Sequence, residues 1–243
     1  MMTHPFVKAY VSVCNELLLP LGFKRKGRYF CRIVNDVYQD LDLKLYRDGQ
    51  TYSVFFGFIP FCCGFEGDYS FYLENAAPIL YRGETESECR KNAEQLGNVI
   101  LEHTIPLYER VTDTASAFAE WHRIRMKQES ESNLRYPSHL FSIFPDYLVS
   151  EPQIWMAMAL GNDKFAVSGL RQLIDIEKYT YKNAMRSLGF GWTPESFTEA
   201  HQQTLREYEE KIERIQVRDM DWINAFLAAK ERRSRIALGL EKE

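Results

Sequence analysis

The dipeptide Asp48–Gly49 constrains the fold of this chain more than any other feature. A two-residue type I′ turn needs positive φ at both central positions, which aspartate and glycine tolerate. Because alternating apolar residues flank the pair, it predicts a tight β-hairpin. The predicted register places six apolar side chains on one face, as the opposed pairs Leu45–Tyr52, Leu43–Val54 and Leu41–Phe56.

The other face of this hairpin is more polar. A one-residue slip would exchange the two faces, so the alternation itself specifies the register of a half-buried sheet. We therefore expect the segment Leu41–Phe58 to bury its leucine and aromatic side against helices. The outer-face pairs are Lys44–Ser53, Asp42–Phe55 and Asp40–Gly57.

The preceding strand, expected over Arg28–Val34, turns at Asn35–Asp36, and two registers are open. A two-residue loop pairs Phe30 with Leu41 on the core face. A three-residue loop pairs Arg28 with Asp42 on the outer face.

Elements around the hairpin complete an α+β pattern. Pro5 opens a helix that ends near Leu19–Pro20, and a fourth strand is expected at Tyr69–Leu73. The predicted fold is an N-terminal helix, an antiparallel β-meander of about three to five strands packed on helices, and a helical C-terminal half.

The chain after the sheet has helical periodicity. Thr85 and Glu88 form a capping box at a helix start. The apolar stripe that follows ends at His103, which we expect to be a core histidine, and Pro106 should break or kink the helix. Further helices are predicted at Ala115–Gln128, Pro152–Leu160, Lys164–Leu188, Pro194–Ile215 and Met220–Leu238.

A polar, turn-rich segment, Glu129–Pro137, is the best candidate for a linker. It predicts an α+β domain over residues 1–128 and an all-helical region of helical hairpins over 129–243, packed on the first domain.

Composition favours a reduced, aqueous compartment. The five cysteines are odd in number and lack CxxC spacing, and no apolar signal core follows the N-terminus. The net charge of −4 does not recruit nucleic acid or anionic lipid. We expect a cytoplasmic protein with no membrane partner, for which nucleic acid is a disfavoured ligand. The oligomeric state stays open.

A basic run is the first candidate binding segment. The basic residues are interleaved with Phe23, Tyr29 and Phe30, a mixture that can hold phosphates and stack bases; they are Lys24, Lys26, Arg28 and Arg32. The alternative, which we favour, is a charged edge strand, where lysine blocks pairing with other sheets.

Asp40 and Asp42 are the second candidate. They point the same way from one strand, about 7 Å apart, and with Arg28 or Arg32 they could serve an enzyme acting on a small or phosphorylated molecule. The alternative, again favoured, is ordinary ion pairing with Arg28, Arg32 and Lys44.

No catalytic, cofactor or metal-binding motif is present in the sequence. The five histidines do not assemble, and His201 is isolated. We therefore expect a chain without catalytic residues, cofactor or metal. The leading hypothesis is a non-enzymatic protein-binding or adaptor module whose partner is another protein.

The segment LPLGFKRKGRYF, from Leu19 to Phe30, resembles the pattern LxPxGFxxxGxxF of the family called domain of unknown function 4304. Asn35–Val37 and the strand Thr51–Ile59 are also similar to that family, over about residues 5–125. The resemblance implies a helix followed by a β-meander and helices, and a bacterial origin. That family has no established activity, so no residue role follows from it. An immunity or accessory role beside a bacterial toxin is one concrete form of the adaptor hypothesis.

Overall fold

The fold is described from a computed structural model, over residues 4–45, 51–64, 80–81, 83–123, 150–185 and 194–242. Contacts divide the chain into two compact units. The sheet unit comprises residues 1–61 and 66–117, and the helical unit comprises 62–65 and 118–243. The division between residues 117 and 118 separates two compact units, but it does not show that either unit folds independently. The predicted domain boundary at residue 128 therefore stays a prediction.

The sheet unit contains an antiparallel meander in which every strand pairs with its neighbour in sequence. This confirms the predicted α+β class. The strands are β1 (Lys24–Lys26), β2 (Tyr29–Val34), β3 (Val37–Leu45), β4 (Thr51–Pro60) and β5 (Leu80–Tyr81).

The register of the central hairpin is the predicted one. All six predicted pairs are present between β3 and β4, and the predicted turn at Asp48–Gly49 lies outside the described residues. Leu41, Leu43, Val54 and Phe56 are at most 3% exposed. Phe30 opposes Leu41, so the two-residue loop is the one the chain adopts, with Asn35 at a φ of 51°.

Helices cover the core face of this sheet. The N-terminal helix α1 (Pro5–Leu18) buries Phe6, Tyr10, Cys14 and Leu18. The Phe6 ring lies 4.9 Å from that of Tyr52 on β4, and the Tyr10 ring 6.1 Å from that of Phe30 on β2. A 3₁₀ turn, Leu19–Leu21, follows.

Helix α2 (Glu86–Val99) starts at the predicted capping box and packs closely on α1. Gly97 permits this approach, because a Cβ there would lie 2.7 Å from the Val13 side chain. A π-helical turn (Ile100–Thr104) joins α2 to α3 (Ile105–Arg110).

The π-helical turn corrects the prediction for His103. The proline nitrogen of Pro106 cannot donate to an i−4 carbonyl, and the preceding N–H of Ile105 donates to Ile100 instead. This wider turn inserts a residue and rotates the helix face. Thr104 is consequently buried, and His103 is exposed rather than in the core.

The helical unit consists of antiparallel hairpins around one apolar core, which includes Ile154, Trp155, Leu170 and Ile215. The predicted helices are present and start within one residue of the predicted positions, while the predicted ends at Gln128 and Leu188 lie outside the described residues. They are α4 (described over 114–123), α5 (Glu151–Ala159), α6 (Asp163–Ala184), α7 (Pro194–Gln216) and α8 (Met220–Ala237), and a 3₁₀ turn is present at Phe61–Cys63.

Two predicted features, the strand at Tyr69–Leu73 and the linker at Glu129–Pro137, lie outside the described residues. All five cysteines are free thiols. Within the described ranges, no helix has both the length and the apolarity needed to cross a bilayer.

Candidate functional site

The structure places the predicted basic residues at a sheet edge. Strand β1 is the first strand in the sheet order, and Lys24, Arg25 and Lys26 are all exposed. Arg28 follows in the turn to β2, where its Nε lies 4.0 Å from Oδ1 of Asp42. This arrangement has the features of a charged edge strand that blocks further pairing.

Arg32 does not belong to that exposed set. It opposes Gln39 and therefore points to the core face. Its Nε donates to Gln39 Oε1 at 2.7 Å, one terminal nitrogen donates to the Leu21 carbonyl at 2.9 Å, and the guanidinium lies 4.7 Å from the Phe23 ring centroid. The predicted pairing of Arg32 with Asp40 or Asp42 is wrong, because register assigns them to opposite faces.

Asp40 is the centre of a buried polar cluster on the outer face, which we call the tyrosine–aspartate cluster (Tyr29, Tyr38 and Asp40). The Tyr29 hydroxyl donates to Asp40 Oδ2 at 2.9 Å and lies 2.5 Å from the Tyr38 hydroxyl. Asp40 is 8% exposed and Tyr38 6%. When Asp40 is ionised, the Tyr29 hydroxyl donates its hydrogen bond to the carboxylate, so the Tyr38 hydroxyl is the donor to Tyr29.

Burial raises the pKa of Asp40 to about 7, and the negative charge of Asp42 adds to this. The hydrogen bond from Tyr29 and the charge of Lys44 oppose the rise. Burial also raises the pKa values of Tyr29 and Tyr38. A carboxyl group with such a pKa can exchange protons near neutrality. With so little of its surface accessible, the geometry favours a structural role.

The backbone beneath Asp40 is held by a tyrosine from the core side. The buried Tyr108 hydroxyl, on α3, donates to the Asp40 carbonyl and accepts from the Gly57 N–H at 3.2 Å. It thus bridges β3 and β4 where these two residues pair. Gln39 donates to the carbonyls of Tyr108 and Val111, at 2.9 and 2.6 Å. Both polar side chains anchor α3 to the sheet.

The helical unit presents a different surface, at the end where two interhelical turns meet. Arg218, in the turn from α7 to α8, donates through Nε to Asp163 Oδ2 at 2.9 Å, at the start of α6. Three large apolar side chains lie in or next to these turns, namely Leu160, Val217 and Met220, which are 42%, 68% and 54% exposed. We call these three residues the apolar tip.

A cleft of about 330 Å³ begins beside the apolar tip. One side is a single stripe of α6, and the other is the end of α7. Its floor contains half-buried Val167 and buried Ile215. The cleft is lined by Asp163, Lys164, Val167, Ser168, Arg171, Ile215 and Gln216.

Two features of the helical unit were not predicted from the sequence. Lys164, Ser168 and Arg171 recur at helical spacing in a predicted helix, a pattern that could have indicated the cleft. His201, expected to be isolated, is 8% exposed, with Nδ1 2.9 Å from Glu177 Oε1 and its ring stacked on Tyr181 at 4.1 Å. This contact joins α7 to α6.

Among the described residues, no group of three or more His, Cys, Asp or Glu side chains is arranged to hold a metal ion. The chain matches no protein-family model, no curated protein and no solved structure. The resemblance to domain of unknown function 4304 therefore stays a prediction.

Proposed function

We propose that this protein is a non-enzymatic binding module that engages another protein through the apolar tip of its helical unit. The observation that supports the proposal is the exposure of Leu160, Val217 and Met220 on two turns joined by the Arg218–Asp163 ion pair. Single exposed apolar residues are common, but apolar side chains gathered on one surface are typical of interaction sites.

The helical scaffold suits this role. Stacked helical hairpins present their turns as a rigid surface, so little ordering entropy is lost when a partner binds. The immunity or accessory role beside a bacterial toxin is one version of this proposal.

The test is quantitative co-purification. The tagged chain, expressed at native level in its source cells, is compared with the variant Leu160→Ser/Val217→Ser/Met220→Ser. We expect wild type to retain a specific protein in reproducible stoichiometry and the tip variant to lose it. Serine at exposed positions should leave the thermal melting curve nearly unchanged.

The matched control is Leu19→Ser/Leu21→Ser/Leu101→Ser, which removes three large apolar side chains that are 36–44% exposed on the sheet unit. It should retain the partner. The proposal is overturned if no protein co-purifies, or if the tip variant and the control retain the same proteins equally.

A further inference from the structure

We infer that the cleft beside the apolar tip binds an acidic segment of the partner protein, whose carboxylates contact Lys164 and Arg171. This inference rests on the proposed function and adds the chemistry of the partner. It follows from the charges that line the cleft and from the ion pair at its end.

The charge available in the cleft is positive. Asp163 contributes the one carboxylate of the lining, and Arg218 neutralises it at 2.9 Å. Lys164 and Arg171 are exposed, and in the part of the chain described here neither has a carboxylate at ion-pair distance. Two unpaired cations on one wall attract an anionic ligand.

The spacing of these cations indicates an extended ligand. Lys164 and Arg171 lie seven residues apart on α6, which is about 10 Å along a helix. The exposed Ser168 hydroxyl lies between them and can donate a further hydrogen bond. Two carboxylates spaced along a polypeptide match this separation.

The apolar floor of the cleft requires that the ligand also present an apolar side chain. Val167 and Ile215 lie between the charged wall and the end of α7. Gln216, which lines the cleft, is the chain neighbour of Val217 in the apolar tip. A matching segment therefore has two acidic residues about two helical turns apart, with an aliphatic side chain between them.

The probe is a fluorescein-labelled peptide, held helical by a staple on its opposite side, with glutamates seven positions apart and a leucine between them. A second peptide carries glutamine at both acidic positions. Binding to the full chain is measured by fluorescence anisotropy at low and high salt. We expect the glutamate peptide alone to bind, and more weakly as salt screens the charges.

The variant Lys164→Gln/Arg171→Gln should bind the glutamate peptide about tenfold more weakly, the effect of losing two partly exposed ion pairs. The control is Lys178→Gln/Lys182→Gln, which removes the same charge from the same helix outside the cleft, and it should bind like wild type. The inference is overturned if the glutamate peptide does not bind at low salt, if the glutamine peptide binds equally, or if both variants weaken binding equally.

The two proposals can fail separately. A partner lost from the tip variant, with no binding of the glutamate peptide, overturns the cleft inference and supports the proposed function. Peptide binding that requires Lys164 and Arg171, with no partner recovered, supports the cleft chemistry and overturns the proposed function.

Discussion

The sheet unit contains a hydrogen-bonded cluster of buried polar side chains, whereas the two most exposed large apolar side chains among the described residues, Val217 and Met220, belong to the helical unit. Asp40, Tyr38 and Gln39 are at most 8% exposed, and each has a hydrogen-bond partner. Val217 and Met220 are more than half exposed. Buried polar side chains whose hydrogen bonds are satisfied contribute to stability and to the strand register. Exposed apolar side chains contribute favourable free energy only when a partner removes them from water. This difference is the reason that we propose a structural role for the first set and a binding role for the second.

The largest expected effect is on the pH dependence of stability, through Asp40. Its pKa of about 7 lies above its ordinary value of 3.8, so the folded state binds the proton more tightly than the unfolded state. The stability from this proton is complete below about pH 4 and is lost as the pH rises through about 7. The loss amounts to at most about 4 kcal/mol.

The variant Asp40→Asn should remove this dependence, because an amide does not titrate. Urea unfolding followed by circular dichroism, over about pH 4 to 8, gives the difference between variant and wild type at each pH. We expect the variant to gain stability relative to wild type as the pH rises. If the stabilities of wild type and variant changed equally with pH, Asp40 would not be a buried titrating group. The contrast between buried polar residues in the sheet unit and exposed apolar residues in the helical unit would then lose its main support.

The next effect concerns the tyrosine that bridges two strands. Tyr108→Phe leaves the Asp40 carbonyl and the Gly57 N–H without the hydroxyl that joins them, which should cost about 1–3 kcal/mol. Hydrogen exchange of β3 and β4 peptides should accelerate. All four tryptophans (121, 155, 192 and 222) belong to the helical unit, so tryptophan fluorescence follows that unit separately.

Tyr29→Phe is the comparison for Tyr108→Phe, since it removes a hydroxyl from the outer face of the same sheet. Tyr29→Phe should accelerate exchange at Gly57 less than Tyr108→Phe does. The Gly57 N–H donates to the Tyr108 hydroxyl and not to that of Tyr29. Equal acceleration by both variants would contradict the bridge.

The smallest effect is expected at the basic edge. Lys24→Ala/Lys26→Ala removes two exposed charges from β1 and should change stability by less than about 0.5 kcal/mol. If these lysines serve only to protect the edge, a labelled oligonucleotide should not bind wild type at low salt. Binding that weakens with salt and is lost in the variant would support the nucleic-acid hypothesis instead.

Local pattern predicted the sheet well, because alternation and turn chemistry both act over short distances. The pair Asp48–Gly49 and its flanking residues predicted six cross-strand pairs, all of which are present in the register. For the strand Arg28–Val34, the same local pattern was compatible with two registers. The adopted register brings Phe30 to the ring of Tyr10 on α1, a contact between separate elements that local pattern does not contain.

Features that depend on distant contacts could not be predicted. The burial of Asp40 and its link to Tyr29 required the register of β2. His103 was misplaced because a π-helical turn breaks the helical period on which the prediction relied. The cleft needs the end of α7 beside α6, an arrangement that periodicity within either helix does not contain.

The order of the strands has a consequence for biosynthesis. Each strand pairs with the one before it in the chain, so β1 to β4 need no contact from residues beyond Pro60 to form their ladders. Such nearest-neighbour pairing keeps loop closure short and favours rapid assembly. As the nascent chain leaves the ribosome, we expect this ribbon of hairpins to pair while most of the helices remain to be translated.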